Sequence, residues 1–89
     1  MSRFEENVYK ILDSAGVLKY CEVRISRGEL FDGVDLHFHN PIEMLWASRR
    51  IEYDLKSPYK VIDDIADAAD YVRRAFHTVI AMRKAGVNI

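Results

Sequence analysis

The chain is poor in the residues that cross-link a fold or carry it through a membrane. Cys21 is the only cysteine among 89 residues, which excludes an internal disulfide and a zinc site built on cysteines. No apolar run approaches the roughly 20 residues that a membrane-spanning helix needs. The first six residues, MSRFEE, turn acidic where a secretory signal would turn apolar. We therefore expect a cytoplasmic protein that makes no membrane contact.

Glycine, proline and excess positive charge are equally scarce. Four glycines and two prolines are scattered along the chain, and none of them forms a phosphate-binding loop or a nucleophile elbow. Thirteen basic and fourteen acidic residues give a net charge of −1, without the basic excess typical of nucleic-acid binders. These absences favour a protein that is not an enzyme and needs no cofactor.

What is present is typical of one small globular domain spanning residues 1–89. Hydrophobic residues make up 49% of the chain and charged residues 30%, which excludes a disordered composition. Ser2 and Glu5 form a capping box for a first helix, which Gly16 ends. The core face of this helix consists of Phe4, Val8, Ile11 and Leu12.

A β-hairpin follows the first helix. The alternating segment 21–26 predicts one strand and the segment 34–39 predicts the next, with Asp32-Gly33 as the tight turn between them. Gly28 is a second possible turn or a bulge, which would change the register. The turn at Asp32-Gly33 pairs Phe31 with Val34 and Arg27 with Phe38. The strand alternation then places the apolar side chains on one face of the sheet and Glu22, Arg24, Ser26, Asp35, His37 and His39 on the other.

Residues 41–56 allow two interpretations. Asn40-Pro41 resembles a capped helix start, which favours a short helix from 41 to about 48 and then a third strand from about 49 to 55. The alternative is a single helix to residue 56, because residues 44–50 include several good helix formers. We favour the third strand, since an isolated hairpin is only marginally stable.

The last element is a long helix that begins after Ser57-Pro58 and ends at Gly86. Aspartates fill its first half and basic residues its second, which complements the helix dipole. Its apolar face comprises Ile62, Ile65, Ala66, Ala69, Val72, Phe76, Val79 and Ile80. The predicted fold is α+β: an N-terminal helix, a hairpin extended to three antiparallel strands, and this helix packed on one face of the sheet.

The polar sheet face is the first candidate site. The segment from Asp35 to His39 resembles the opening metal motif of the amidohydrolase superfamily and of the polymerase-and-histidinol-phosphatase phosphoesterases, both much longer barrels. The resemblance would make His37 and His39 metal ligands, and Asp35 or Glu22 could add a carboxylate for a zinc or manganese ion. An ordinary solvated face that includes Glu22 and Arg24 requires no metal. We expect no bound metal and keep the metal site as a lesser alternative.

The order helix, three strands, helix resembles the double-stranded RNA-binding domain. In that family lysines at the start of the last helix grip phosphates, but here that position reads Asp63-Asp64-Ile65-Ala66-Asp67. The resemblance therefore implies the topology and not the RNA function. Arg73 and Arg74 are the basic pair on which a nucleic-acid alternative would depend.

Trp46 is the most informative single residue. A lone tryptophan in a small protein is most often part of the core, and the alternative is an anchor at a protein interface. Arg49, Arg50 and Tyr53 follow it closely, so we predict a protein-binding surface from these four residues. The hypothesis is a non-catalytic interaction or regulatory module, such as an adaptor or inhibitor of a larger machine of the phage or mobile-element type. Self-association is also open, through a sheet edge or the Trp46 region.

Overall fold

The computed structural model describes residues 3–27, 32–53 and 58–89. Helix α1 (Arg3–Ser14) leads through a 3₁₀ turn (Leu18–Tyr20) into strands β1 (Cys21–Ser26), β2 (Asp32–Asn40) and β3 (Leu45–Tyr53), and helix α2 (Pro58–Lys84) follows. The three strands form one antiparallel sheet in the order β1-β2-β3. This confirms the predicted α+β fold. Four predictions concern residues outside the described ranges: the cap at Ser2, the alternative turn or bulge at Gly28, the pairing of Phe31 and the end of the third strand at residue 55.

The core lies between the helices and the middle strand. Val34, Leu36 and Phe38 of β2 are at most 1% exposed. They pack in one cluster with residues of both helices, so α1 and α2 cover the same face of the sheet. The helix and turn residues buried there are Val8, Leu12, Val17, Val61, Ile65, Ala69, Val72 and Phe76. Ala66, predicted to belong to this face, is exposed instead.

Both helices end in the same glycine motif. After α1 the N–H of Gly16 donates to Asp13 O and the N–H of Val17 donates to Leu12 O, with Gly16 at φ 75°. Gly86 repeats this arrangement after α2 at φ 90°. A left-handed glycine that satisfies the last helical carbonyls in this way is the Schellman motif. Both glycine stops predicted from the sequence are confirmed.

The hairpin register differs from the prediction. Cys21 pairs with Phe38 and Ser26 pairs with Gly33, whereas a turn at Asp32-Gly33 would have placed Arg27 opposite Phe38. Asp32 and Gly33 are therefore the first residues of β2 and do not form a turn. The register moved by an even number of residues, so each side chain stays on its predicted face.

Residues 41–44 form a hairpin loop and not the predicted short helix. Strand β3 begins at Leu45, which pairs with Asn40, so four residues connect the two strands. The Asn40 side chain accepts a hydrogen bond from the Glu43 N–H at 3.3 Å, which explains the cap-like signal in the sequence. Met44 completes the turn with a left-handed φ of 56°. The third strand is confirmed, with an earlier start than predicted, and the single-helix alternative is wrong.

Helix α2 extends past the core to this loop. Phe76 is its last buried residue, yet the helix continues to Lys84 and sets the 47 Å length of the molecule. At its end Arg83 donates from Nη1 to Glu43 O (2.6 Å) and from Nε to Ile89 O (2.9 Å). One guanidinium therefore joins α2, the β2–β3 loop and the C-terminal residues.

Candidate functional site

The helix-free face of the sheet collects the polar residues that the sequence predicted there. Glu22 lies opposite His37, and Arg24 lies opposite Asp35. His39 lies opposite Trp46 of β3, and their rings meet edge to face at a centroid distance of 6.1 Å. The predicted polar sheet face is thus a continuous surface across all three strands.

The two arginines on this face, Arg24 and Arg50, both form ion pairs with neighbouring carboxylates. Arg24 Nε lies 2.9 Å from Glu22 Oε1. Arg50 donates from Nη1 to both oxygens of Asp35, at 3.0 and 2.9 Å, and its Nε lies 3.4 Å from Glu52. The hydrogen bonds to Asp35 and Glu52 raise the pKa of the Arg50 guanidinium above its ordinary value. The face is therefore locally neutralised, which disfavours a strongly charged ligand.

The position of Arg50 also explains Gly33. A Cβ atom on Gly33 would lie 2.7 Å from Arg50 Nη2, because the guanidinium crosses directly over this glycine on its way to Asp35. Gly33 is therefore required for close approach of the arginine, and its backbone is not in the left-handed region.

The two strand histidines do not complete a metal site with the residues around them. In residues 3–27, 32–53 and 58–89 no group of three or more His, Cys, Asp or Glu side chains is arranged to hold a metal ion. The two carboxylates predicted as alternatives to join the histidines are both held by arginines: Asp35 by Arg50, and Glu22 by Arg24. His37 and His39 are both exposed on the sheet surface.

The predicted protein-binding residues are divided between two faces of the sheet. Trp46 and Arg50 lie on the helix-free face, where they are paired with His39 and Asp35. Arg49 and Tyr53 lie on the helix-covered face. There Arg49 stacks on the Tyr71 ring of α2 at 4.9 Å, and Tyr53 packs on Phe4 of α1 at 5.2 Å. Adjacent residues in a strand point to opposite faces, so Arg49 and Arg50 cannot serve one surface.

A different surface forms at the β2–β3 loop, and we call Ile42, Met44 and Trp46 the apolar tip. Their exposed fractions are 90%, 71% and 70%. Trp46 is therefore not a core residue. Ile42 and Met44 were not predicted as surface residues, because a helix was predicted there. A strand that alternates from Leu45 onward would have placed Trp46 outward.

The basic pair of α2 is partly neutralised by one carboxylate of the same helix. Asp70 Oδ1 lies 2.7 Å from Arg73 Nη2, and Asp70 Oδ2 lies 3.1 Å from Arg74 Nε. The hydrogen bond from Arg73, assisted by the charge of Arg74, lowers the pKa of the Asp70 carboxyl below its ordinary value. Arg73 and Arg74 thus share one carboxylate, which weakens their attraction for phosphates.

Comparisons with known proteins add no assignment. The chain matches no protein-family model, no curated protein and no solved structure at a significant level.

Cys21 has the chemistry of a structural thiol. Burial, with a smaller contribution from the Glu22 carboxylate, raises the pKa of the Cys21 thiol to about 11. At neutral pH the thiolate fraction is consequently very small, and the thiolate is the nucleophilic form.

Among the helices that the structure describes, none is long and apolar enough to cross a bilayer.

Proposed function

We propose that the domain is a non-catalytic protein-interaction module that binds an apolar cleft of another protein with its apolar tip. The observation that carries this proposal is the exposure of Ile42, Met44 and Trp46, at 90%, 71% and 70%. Three large apolar side chains projecting from five consecutive residues form a patch that small monomeric domains rarely leave in water. Tryptophan is also among the residues most enriched in binding hot spots.

The tip is held in place before any partner arrives. Asn40 accepts the Glu43 N–H, and Arg83 donates to the Glu43 carbonyl from the last turn of α2. Met44 occupies a left-handed backbone conformation that a non-glycine residue adopts at a cost. A loop already fixed in its binding shape loses less conformational entropy when a partner binds. These constraints support the tip as the binding element.

The helix-free face of the sheet, which adjoins the tip, can form the polar rim of the proposed interface. Its arginines are matched by carboxylates, so it adds polar contacts without a strong charge of either sign. A fully exposed large apolar side chain gains about 1.5–3 kcal/mol on complete burial. Burial of the three tip side chains offsets part of the free-energy cost of association. Both an adaptor and an inhibitor can use a tip of this kind.

The test is capture of a partner by the immobilised protein, with nuclease present, followed by mass spectrometry. We expect Trp46→Ala and Ile42→Ala each to lose a protein that the unmodified chain retains in stoichiometric amount. Tyr59→Ala is the matched control, because Tyr59 is 85% exposed but lies at the start of α2, about 36 Å along the helix from Arg83. Equal capture by Trp46→Ala and Tyr59→Ala would overturn the proposal.

The recovered partner then allows a direct measurement. Trp46 is the only tryptophan, so intrinsic fluorescence reports on the tip alone. Entry into an apolar cleft should shift its emission to shorter wavelength in a saturable titration. An unchanged emission at saturating partner would place the interface elsewhere.

A further inference from the structure

The outer edge of β3 has no strand beside it in the described part of the chain. Within the residues that the structure describes, β3 pairs with β2 alone, so one edge of a nine-residue strand carries no partner. The residues of β3 that face the helices are only half-buried: Leu45, Ala47, Ile51 and Tyr53. By contrast, Phe38, Val34 and Asp32, which pair with the last three of them, are buried. Long regular edges of this kind are ready templates for another strand.

A groove runs along this edge between β3 and α2. Arg49 and Ile51 line it from the strand, and Tyr71, itself 56% exposed, lines it from the helix. The remaining lining residues of α2 are Asp64, Asp67, Ala68, Asp70 and Arg74. Along the groove the helix is therefore acidic toward its start. Toward its end Arg73 and Arg74 share the single carboxylate of Asp70, so an excess of positive charge remains there.

We propose that a second copy of this chain occupies the β3 edge, so that two three-stranded sheets join into one antiparallel sheet of six strands. A two-fold axis perpendicular to the sheet keeps both helix layers on the same side, and such an axis passes through a residue that faces itself. Arg49 is the middle residue of β3, so an axis there pairs all nine residues. Across it Ala47 faces Ile51, Leu45 faces Tyr53, and Ser48 faces Arg50.

The helix layer fits the same axis independently. Arg49 lies 4.9 Å from the centre of the Tyr71 ring, so Tyr71 sits beside the axis. Two α2 helices running antiparallel about Tyr71 bring Asp67 of one copy next to Arg74 of the other, twice. A parallel arrangement would instead set like charges side by side. At the axis each Arg49 guanidinium lies over a Tyr71 ring, and this cation–π contact offsets part of the repulsion between the two arginines.

This agreement between the two layers favours a second copy over an extended peptide. A peptide could use the backbone groups of the edge, but it would bring no helix to match the charge order of α2. A protein that stays monomeric at every concentration, yet binds peptides along β3, would show that the occupant is a peptide and would overturn the proposal.

A charge exchange across the axis tests the helix contact. Sedimentation velocity of the unmodified chain should show a concentration-dependent dimer. Asp67→Arg and Arg74→Asp should each raise the dimer dissociation constant at least tenfold, because each sets like charges together twice. Mixing the two variants should restore association as a heterodimer, since both contacts become complementary. Asp63→Arg is the control, because Asp63 is exposed on α2 but does not line the groove.

The heterodimer distinguishes a contact between copies from damage within one copy. If each variant only disturbed its own helix, mixing would restore nothing. Failure of the mixture to associate, or equal weakening by Asp63→Arg and Asp67→Arg, would overturn the helix arrangement. A monomer at millimolar concentration would overturn the dimer itself.

Cysteine cross-linking tests the strand register. In a Cys21→Ser background, Arg49→Cys places two thiols opposite each other at the axis, where directly opposed Cβ atoms lie about 4.5–5.5 Å apart. Mild oxidation should give a disulfide-linked dimer rapidly. Glu52→Cys is the matched control, because its two copies would lie about 20 Å apart along the strands. Cross-linking of Glu52→Cys at the same rate would reject the register.

Discussion

Replacing Met44 by glycine should stabilise the fold. Met44 holds a left-handed φ of 56°, which costs a non-glycine residue about 1–2 kcal/mol. Glycine adopts this conformation without strain. It also has more conformational entropy in the unfolded chain, which lowers the free energy of unfolding by about 0.5–1 kcal/mol. The side chain itself is 71% exposed and contributes little packing. The net expectation is an increase of about 0.5–1 kcal/mol in the free energy of unfolding.

Urea denaturation followed by circular dichroism measures this effect. With a denaturant slope of about 1 kcal/mol/M, the midpoint should rise by about 0.5–1 M while the slope stays unchanged. Met44→Ala is the control, because it removes the side chain but keeps the left-handed strain. We expect its stability within about 0.5 kcal/mol of the unmodified chain. A glycine variant no more stable than the alanine variant would refute the strain argument.

The same substitution separates stability from binding. Met44 is one of three side chains of the apolar tip, so Met44→Gly should weaken partner capture although the protein becomes more stable. A residue that is retained against its own backbone preference is expected where binding and stability conflict. Capture that survives Met44→Gly undiminished would remove Met44 from the interface.

Three further perturbations follow from the fold. Leu36→Ala should lower the free energy of unfolding by about 2–5 kcal/mol in urea denaturation, because Leu36 is fully buried in the middle strand. His37→Ala, on the exposed face, should change it by less than about 0.5 kcal/mol, and equal effects would contradict the assignment of faces. Arg83→Ala should lower the free energy of unfolding by about 1–2 kcal/mol and speed hydrogen exchange in the β2–β3 loop, since it removes the donor to the Glu43 carbonyl. Unchanged exchange would show that this hydrogen bond does not hold the loop. Cys21 should react with iodoacetamide about 100-fold more slowly at pH 8 in the folded protein than in urea. A pKa of about 11 lowers the thiolate fraction by about that factor relative to the ordinary pKa of 9.0, and similar rates would indicate an accessible thiol.

The elements and faces of this fold were predictable because their signals are local. Alternation along Cys21–Ser26 and the glycines after both helices depend on neighbouring residues only, and both predictions are confirmed. The side chains of Asp35, His37 and His39 were assigned to the correct face for the same reason. A register error of an even number of residues leaves every side chain on the same face of the sheet.

The hairpin register and the β2–β3 loop depended on contacts that the sequence does not display. Gly33 resembled a turn residue, but its small size serves the Arg50 side chain that crosses over it from β3. Asn40 resembled a helix cap, but its side chain closes a four-residue loop. Both signals were real. Arg50, which is remote in sequence, determined the role of Gly33, whereas the nearby N–H of Glu43 determined that of Asn40. The exposure of Ile42 and Met44 follows from that loop and was missed with it.

The direction of β3 has a consequence for valency. The strand starts at the tip and ends at Tyr53, so the antiparallel pair proposed above carries its two tips at opposite ends of the joined sheet. Leu45 of one copy then lies about 26 Å along the strands from Leu45 of the other. A rigid spacing of this kind lets the pair bridge two separate molecules, or bind a symmetric target with avidity when its clefts match the spacing. A target with clefts at another spacing would engage one tip at a time.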